Sequence, residues 1–572
     1  MKKLFYIALM LVCGFTTSCD VLDTEPKDSY NELLVWRNKD LAENVLKEAY
    51  WSILKNMYCY GDNNTECLRT EAWSDNVWNK DNNSVAAEAI SPTNIENYVG
   101  GFNKYGYIRK ASLIIDKLTD NSDIDAASCK QFIAEARCLR VMVYDWMVRR
   151  WGGVMLVDKL MTPKDEMKLP RTSEADMYKY MVEQLKLAIP DLPETSVKER
   201  FSKGAALTLL TRVSLEGGLY DETIAAGKQL FEGAEASRWS IDPDYRKMFG
   251  SYKYPEESPE IQFYFTQGEK KQYCENLLPM YIVGTMAPGR NIMGSAFNEK
   301  VDAWCQTWPS QELADAYLAI DVDGDGQAKP YTETAKWQNA PVKTAAIMYS
   351  NRDKRFDATI CHDGSVYFTS PIEMHTKGNC YWENTQNHGF MTQSGYMWRK
   401  FIYECDGTLP GYQIPYDFRY ILLRLGEASL NYAEALGRKG KIKEAVEVMN
   451  MTRTKHGGLP ALANTVSADE FWKNYKIERR CELALEGDRY FSVIRWAKVE
   501  NAETVPEFNK RTHCIVIDGD DGTFELIDTS HGSSTGSDRV FSWPKRMYFP
   551  LPENQTMNNE NLSQTFLISV SL

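Results

Sequence analysis

Residues 418–453 read FRYILLRLGEASLNYAEALGRKGKIKEAVEVMNMTR. Two helical periods flank a break at Gly440, and Ala433, Gly440 and Ala445 keep the small-residue spacing of a tetratricopeptide unit. Small side chains at those places let two helices approach closely. Each pair must then bury its remaining apolar face on a neighbour, which forces a right-handed stack rather than an isolated hairpin. Residues 200–231, RFSKGAALTLLTRVSLEGGLYDETIAAGKQLF, repeat the plan with Gly217-Gly218 as the turn. Helical periodicity also covers residues 38–58, 95–118 and 130–150, and a further helix follows Ser173 as N-cap and stops near Pro190. The spacing predicts a mostly α fold with a tetratricopeptide-like helical-hairpin scaffold.

Residues 477–496, IERRCELALEGDRYFSVIRW, carry the densest charge. Ile477, Cys481, Ala484, Leu485, Tyr490, Phe491 and Ile494 recur at roughly helical spacing, which predicts one helix. Glu478, Glu482 and Glu486 lie four apart, and like charges so placed repel by about 0.2–0.5 kcal/mol per pair. Arg479, Arg480, Arg489 and Arg495 compensate, with Arg479–Glu482 and Glu486–Arg489 as the expected close pairs. Such density among large apolar groups points to a docked helix with partly enclosed ion pairs. A solvated charged face is the plainer alternative. An acid/base cluster is disfavoured, because the arginines hold carboxyl pKa values down.

The periodicity dissolves over residues 252–416, which are rich in Gly, Pro, Asn and aromatics. Irregular segments of this length usually carry function. Residues 60–83, YGDNNTECLRTEAWSDNVWNKDNN, form a second polar stretch and read as a loop. Sugar rings offer apolar C–H faces to indoles, and Asn, Asp and Arg bind the hydroxyls. Trp73, Asp75, Asn76, Trp78 and Asn79 are therefore the first candidate ligand-binding group. Trp304, Trp308 and Trp337 form the second.

Other chemistries fare worse. With 66 basic against 79 acidic residues and a net charge of -13, the chain is a poor match for nucleic acid. Its 13 cysteines include no CxxC and its six histidines no HExxH, so zinc and haem find no ligand set and the cysteines read mostly as small buried hydrophobes. Residues 532–536, GSSTG, match GxSxG formally but lack the strand and helix that a nucleophile elbow needs. Asp321, Asp323, Asp325 and Gly326 open like an EF-hand loop. Position nine is Lys329 and position twelve Thr332, so a calcium site of altered geometry and a solvated acidic turn are the two readings. No other cofactor is expected.

Lys2, Lys3 and the apolar residues 4–12 make a leader too short to span a bilayer. Small residues then precede Cys19, the pattern of a lipoprotein processing site. Residues 1–18 are expected to be removed as a signal peptide, leaving Cys19 lipidated (palmitate) on a tether over 19–37. No later run of about 18 apolar residues occurs, so the body is read as anchored rather than spanning.

Seven segments in order carry a resemblance: SCDVLDTEP behind the leader, AEARCLRVMVYDWMVRRWGGV, RFSKGAALTLLTRV, NRDKRFDATI, FRYILLRLGEASLNYAEAL, IERRCELALEGDRYFSVIRW and MYFPLPENQTMNNENLSQ. The chain resembles the SusD/RagB family of nutrient-uptake outer-membrane lipoproteins of Bacteroidetes-type bacteria. The resemblance implies four tetratricopeptide-like helix pairs and a large loop-rich ligand-binding remainder. It divides the body into an N-terminal helical region, 38–235, and a SusD/RagB region, 236–572. Within the latter, 252–416 is irregular, 417–500 is helical scaffold and 501–572 is a C-terminal loop segment. It implies a SusC-like TonB-dependent transporter as partner, capped on its extracellular side by this protein. It also implies a non-enzymatic role, capture of an oligosaccharide or, in some members, a peptide. A surface glycoside hydrolase, the remaining alternative, would need two carboxylates flanking a sugar subsite.

Overall fold

The computed structural model describes residues 32–60, 64–79, 85–267, 278, 282, 305–367, 370–384, 391–407, 417–528 and 539–564. The leader, Cys19, Trp304 and the GSSTG segment lie outside the described residues.

Helix α1, Lys39–Tyr58, starts where the Asn38 side chain accepts from the amides of Asp40 and Leu41. It buries Ala42, Leu46, Ala49, Ile53 and Leu54. Helices α2, Tyr105–Leu118, and α3, Ala126–Trp151, pack as a hairpin. Helix α4, Glu174–Ala188, is capped by Ser173 as its sequence predicts. Helices α5, Lys203–Glu216, and α6, Tyr220–Phe231, turn at Gly217-Gly218. Helices α7, Leu425–Arg438, and α8, Ile442–Lys455, form the next hairpin. Helices α9, Ala468–Glu482, and α10, Arg489–Val499, complete the set. Each hairpin packs on a neighbour, with α6 against α7 joining the early and late pairs. The small-residue logic is visible there: a Cβ on Gly227 would lie 2.4 Å from the Tyr432 ring. Ala433 and Ala445 are likewise fully buried. The chain is thus mostly α, built on tetratricopeptide-like hairpins.

Three sequence expectations are corrected. Residues 418–424 do not continue a helix. They form a strand paired antiparallel with Ile261–Gln267, with Ile421 opposite Tyr264. Aromatic and β-branched residues in FRYILLR suit a strand enclosed on both faces. Residues 60–83 contain a short helix, Glu66–Ala72, and a strand, Val77–Asn79. That strand pairs with Thr307–Pro309 and sets Trp78 opposite Trp308. Third, 477–496 is two helices, interrupted over residues 483–488.

The β-structure among the described residues consists of two-stranded pairs. Nine of the ten described cysteines are buried, the role of small hydrophobes. No helix among the described residues is long and apolar enough to cross a membrane.

Candidate functional site

The break in 477–496 decides where its charges go. Leu485 and Gly487 take left-handed backbone angles, φ 59° and 79°. A Cβ on Gly487 would lie 2.8 Å from the Thr70 hydroxyl, so the turn is seated against the short helix Glu66–Ala72. Glu486 is thereby lifted off the stripe of Glu478 and Glu482. The expected pairs Arg479–Glu482 and Glu486–Arg489 do not form; the ion-pair partners all come from beyond the next turn of helix.

Glu482 is fully buried and accepts from Arg424 at 2.6 Å, Arg355 at 2.8 Å and His456 Nδ1 at 2.8 Å. Arg424 also reaches Glu260 at 2.8 Å and Glu486 at 2.6 Å. Arg355 also clasps Asp353 and Glu478. Arg479 pairs with Asp488 at 2.6 Å, and Arg495 with Glu434 at 2.8 Å. The enclosure expected from the sequence is present, because Glu478, Glu482, Arg479, Arg489 and Arg495 are all buried.

This network is not an acid/base set. Burial would lower the His456 pKa, but Glu482 and Glu260 outweigh it and raise it to about 10. Burial would raise the Glu482 pKa, but His456, Arg424 and Arg355 hold it well below the carboxylate range. The groups therefore stay ionised near neutrality. Glu260, His456 and Glu482 place ligand-type atoms within 4.8 Å of one another. A metal does not fit them, because the imidazole is protonated and Arg424 already occupies both carboxylates.

The first candidate group is brought together, but into the core. Trp73 packs edge-on against Phe549 at 5.1 Å and Tyr490 at 5.3 Å. Asp75 accepts from Arg489 at 2.8 Å and pairs with Arg480 at 3.0 Å. Against the cost of burial, Arg480 and Arg489 pull its pKa far below the usual range. Asn76 accepts from Arg480 at 2.7 Å and donates to Glu71 at 2.5 Å. Trp78 and Trp308 stack at 4.8 Å, both fully buried. Asn79 contributes backbone to the strand pair; its side chain lies outside the described residues. The described side chains of this group are buried and offer a sugar no open face, and Trp78 Nε1, which has no hydrogen-bond partner among the described residues, is sealed in the core with them. They dock the loop onto α9 and α10, and no local apolar stripe reveals it because the partners lie over 400 positions away.

Trp337 is different. It is half-buried, edge-on to Tyr331 at 4.9 Å, tilted against Phe524 at 6.2 Å, with Lys343 Nζ 5.6 Å from its ring centre. Among the nominated tryptophans with described side chains, it alone is half-buried rather than buried.

Two family models match the chain. One, described as the SusD family, covers residues 283–567. The other, described as starch-binding associating with outer membrane, covers residues 20–215. The chain belongs to the SusD/RagB family. A SusD-like protein of Bacteroides ovatus is 22% identical over 98% of this chain and 97% of its own length. A SusD-like carbohydrate binding protein of Bacteroides fragilis superposes with TM-score 0.72 at 19% identity, covering 92% of this chain and 100% of its own. A laminarin binding SusD-like protein superposes with TM-score 0.63 at 19% identity, covering 92% and 99%. At such identities the structural likeness establishes the fold.

In this SusD/RagB chain the acidic turn carries its own cation. Lys329 Nζ donates to Asp321 Oδ2 and Asp325 Oδ2, both at 2.9 Å. Asp321 Oδ1 accepts from the Ala335 amide at 2.8 Å. The position-seven carbonyl, Gln327, accepts from the Asp321 amide at 2.9 Å. Thr332 stands at position twelve, and its carbonyl accepts from Gln338. The Lys329 hydrogen bond holds the Asp321 pKa down. The residues therefore do not fit a resident calcium ion at Asp321, Asp323 and Asp325, since a divalent ion would have to displace the ammonium. Adding millimolar CaCl2 or EDTA is expected to shift Tm by less than about 1 °C in calorimetry. A concentration-dependent rise with calcium would reverse this assignment.

Proposed function

We propose that the chain is a surface-exposed outer-membrane lipoprotein that binds an oligosaccharide and delivers it to a SusC-like TonB-dependent transporter, acting as its extracellular lid. Cys19 carries the lipid in this reading. The observation behind it is the family match in both parts of the chain, one of them to a starch-binding, outer-membrane description. Structural relatives described as carbohydrate binding and laminarin binding support a glycan as ligand.

Trp337, with Lys343 beside its ring, is the ligand contact this reading selects. A half-buried indole can stack on the apolar C–H face of a sugar, and Lys343, which donates to the carbonyls of Trp337, Gln338 and Ala340, holds the turn that carries it. The role is binding rather than hydrolysis. A glycosidase acid needs a raised pKa in an open cleft beside a second carboxylate. Burial raises Glu71 to about 7 and Asp145 to about 6, but both are shut inside the core.

Purified residues 20–572 titrated with an oligosaccharide panel test the reading. At least one saccharide should bind and be recovered uncleaved. Trp337→Ala should weaken it about 10-fold, which corresponds to about 1.4 kcal/mol. Binding of peptides with no saccharide bound would replace the glycan reading, and cleaved product would replace the binding role.

A further inference from the structure

A cavity of about 60 Å³ lies where the N-terminal and C-terminal matched segments meet. Glu66, Asp145, Arg149 and Arg212 line it from one side, Tyr420 and Asp488 from the other. Three atoms of these side chains are shut off from bulk solvent and have no hydrogen-bond partner among the described residues. They are Glu66 Oε2, Asp145 Oδ1 and Arg149 Nε. Glu66 has given its other oxygen to Arg150 and keeps Oε2 in a 3.8 Å ion pair with Arg69, beyond hydrogen-bond distance, and Arg212 is spent on Glu427 at 2.6 Å. Asp145 is only 3% exposed.

The signs of the three atoms select the occupant. Two are acceptors and one is a donor. A metal cation would satisfy the carboxylates but leave Arg149 Nε unmet and face three guanidiniums, those of Arg149, Arg150 and Arg212. An anion would satisfy the arginine and meet both carboxylates. A molecule that donates and accepts at once serves all three, and the volume admits only very small ones. A buried water takes at least about 10–15 Å³ by this measure and seeks two to four polar partners.

We infer that this cavity holds a cluster of about two to four fixed water molecules, binding Asp145 and Glu66 as donors and Arg149 as acceptor. The seam between the two parts of the chain is then hydrated, and α3 is joined to the turn at residues 483–488 through solvent. Burial pushes the Asp145 carboxyl up to about 6 against the pull of Arg149 and Arg212. Above that pH it is an anion that needs donors, which the waters supply.

A crystal structure of the mature chain at about 1.5 Å resolution should show at least two ordered waters, within about 3.2 Å of Asp145 Oδ1 and Arg149 Nε. An empty cavity, a direct Asp145–Arg149 bond filling it, or a coordinated ion would overturn the inference. Oxygen-17 relaxation dispersion in solution gives a second reading. Folded Asp145→Leu should lose the signal of about two long-lived waters relative to the parent chain, and an unchanged signal would count against the cluster. Should Asp145→Leu fail to fold, the parent crystal structure decides alone.

Discussion

Glu482→Ala is expected to lower the free energy of unfolding by about 3–5 kcal/mol, the range for breaking a buried ion pair from one side. The reason is what stays behind. Arg424, Arg355 and His456 all point at this carboxylate, and all are buried. Removing it strands positive charge in the core, where no solvent can screen it. Denaturant unfolding at fixed pH measures the loss. The pH dependence gives a second signature. The raised His456 pKa contributes stability that is complete below 6.5, its unfolded value, and is lost as pH rises through about 10. The lowered Glu482 pKa contributes stability present above 4.5 and lost as pH falls toward its depressed folded value. The pair therefore stabilises most between about pH 4.5 and 6.5. In Glu482→Gln the neutral partner should bring the His456 pKa down, and nuclear magnetic resonance titration of the imidazole would record it. An unaltered His456 pKa would show that Glu482 is not its partner.

Trp78→Ala is expected to cost about 3–5 kcal/mol, the range for truncating a large core aromatic. Trp78 is fully buried and stacked on Trp308, so its removal opens a cavity between the two strands that hold them. Asp75→Ala should act through a different term at the same joint, by leaving Arg480 and Arg489 without their shared carboxylate. Urea unfolding followed by tryptophan fluorescence and by circular dichroism reads both. A Trp78→Ala protein as stable as the parent would contradict the core assignment.

Local patterns carried the scaffold. The 3.6-residue period, Gly217-Gly218 and the Ser173 cap are local signals, and the helices at Glu174–Ala188, Lys203–Glu216 and Tyr220–Phe231 follow them, whereas the period over 95–118 is broken between Glu96–Val99 and Tyr105–Leu118. Phe418–Arg424 misled because a strand buried on both faces has no alternation, and it runs directly into α7. The break at residues 483–488 was hidden because ELALEGD keeps helical composition. Its left-handed turn is set by contact with Thr70, which lies far away in sequence. The same distance hid the ion-pair partners: Glu260, Arg355 and Arg424 belong to three separate segments. The signal available was the arginine content of 477–496, where Arg480 and Arg489 required acids from elsewhere and found Asp75. That pairing explains why an Asn- and Asp-rich stretch around Trp73 and Trp78 reads as solvated yet lies in the core. At the acidic turn, Lys329 at position nine donates to Asp321 and Asp325, a pairing that the EF-hand spacing alone does not reveal.

The proposed function divides the tryptophans into those that hold the scaffold and Trp337, its proposed ligand contact. Trp78→Ala and Trp337→Ala, compared for thermal stability and saccharide affinity under one set of conditions, test it most directly. Trp78→Ala should lower Tm while its folded fraction keeps the parental Kd. Trp337→Ala should keep the parental Tm and raise Kd about 10-fold. The opposite pattern, with affinity lost in a fully stable Trp78→Ala and unchanged in Trp337→Ala, would contradict it.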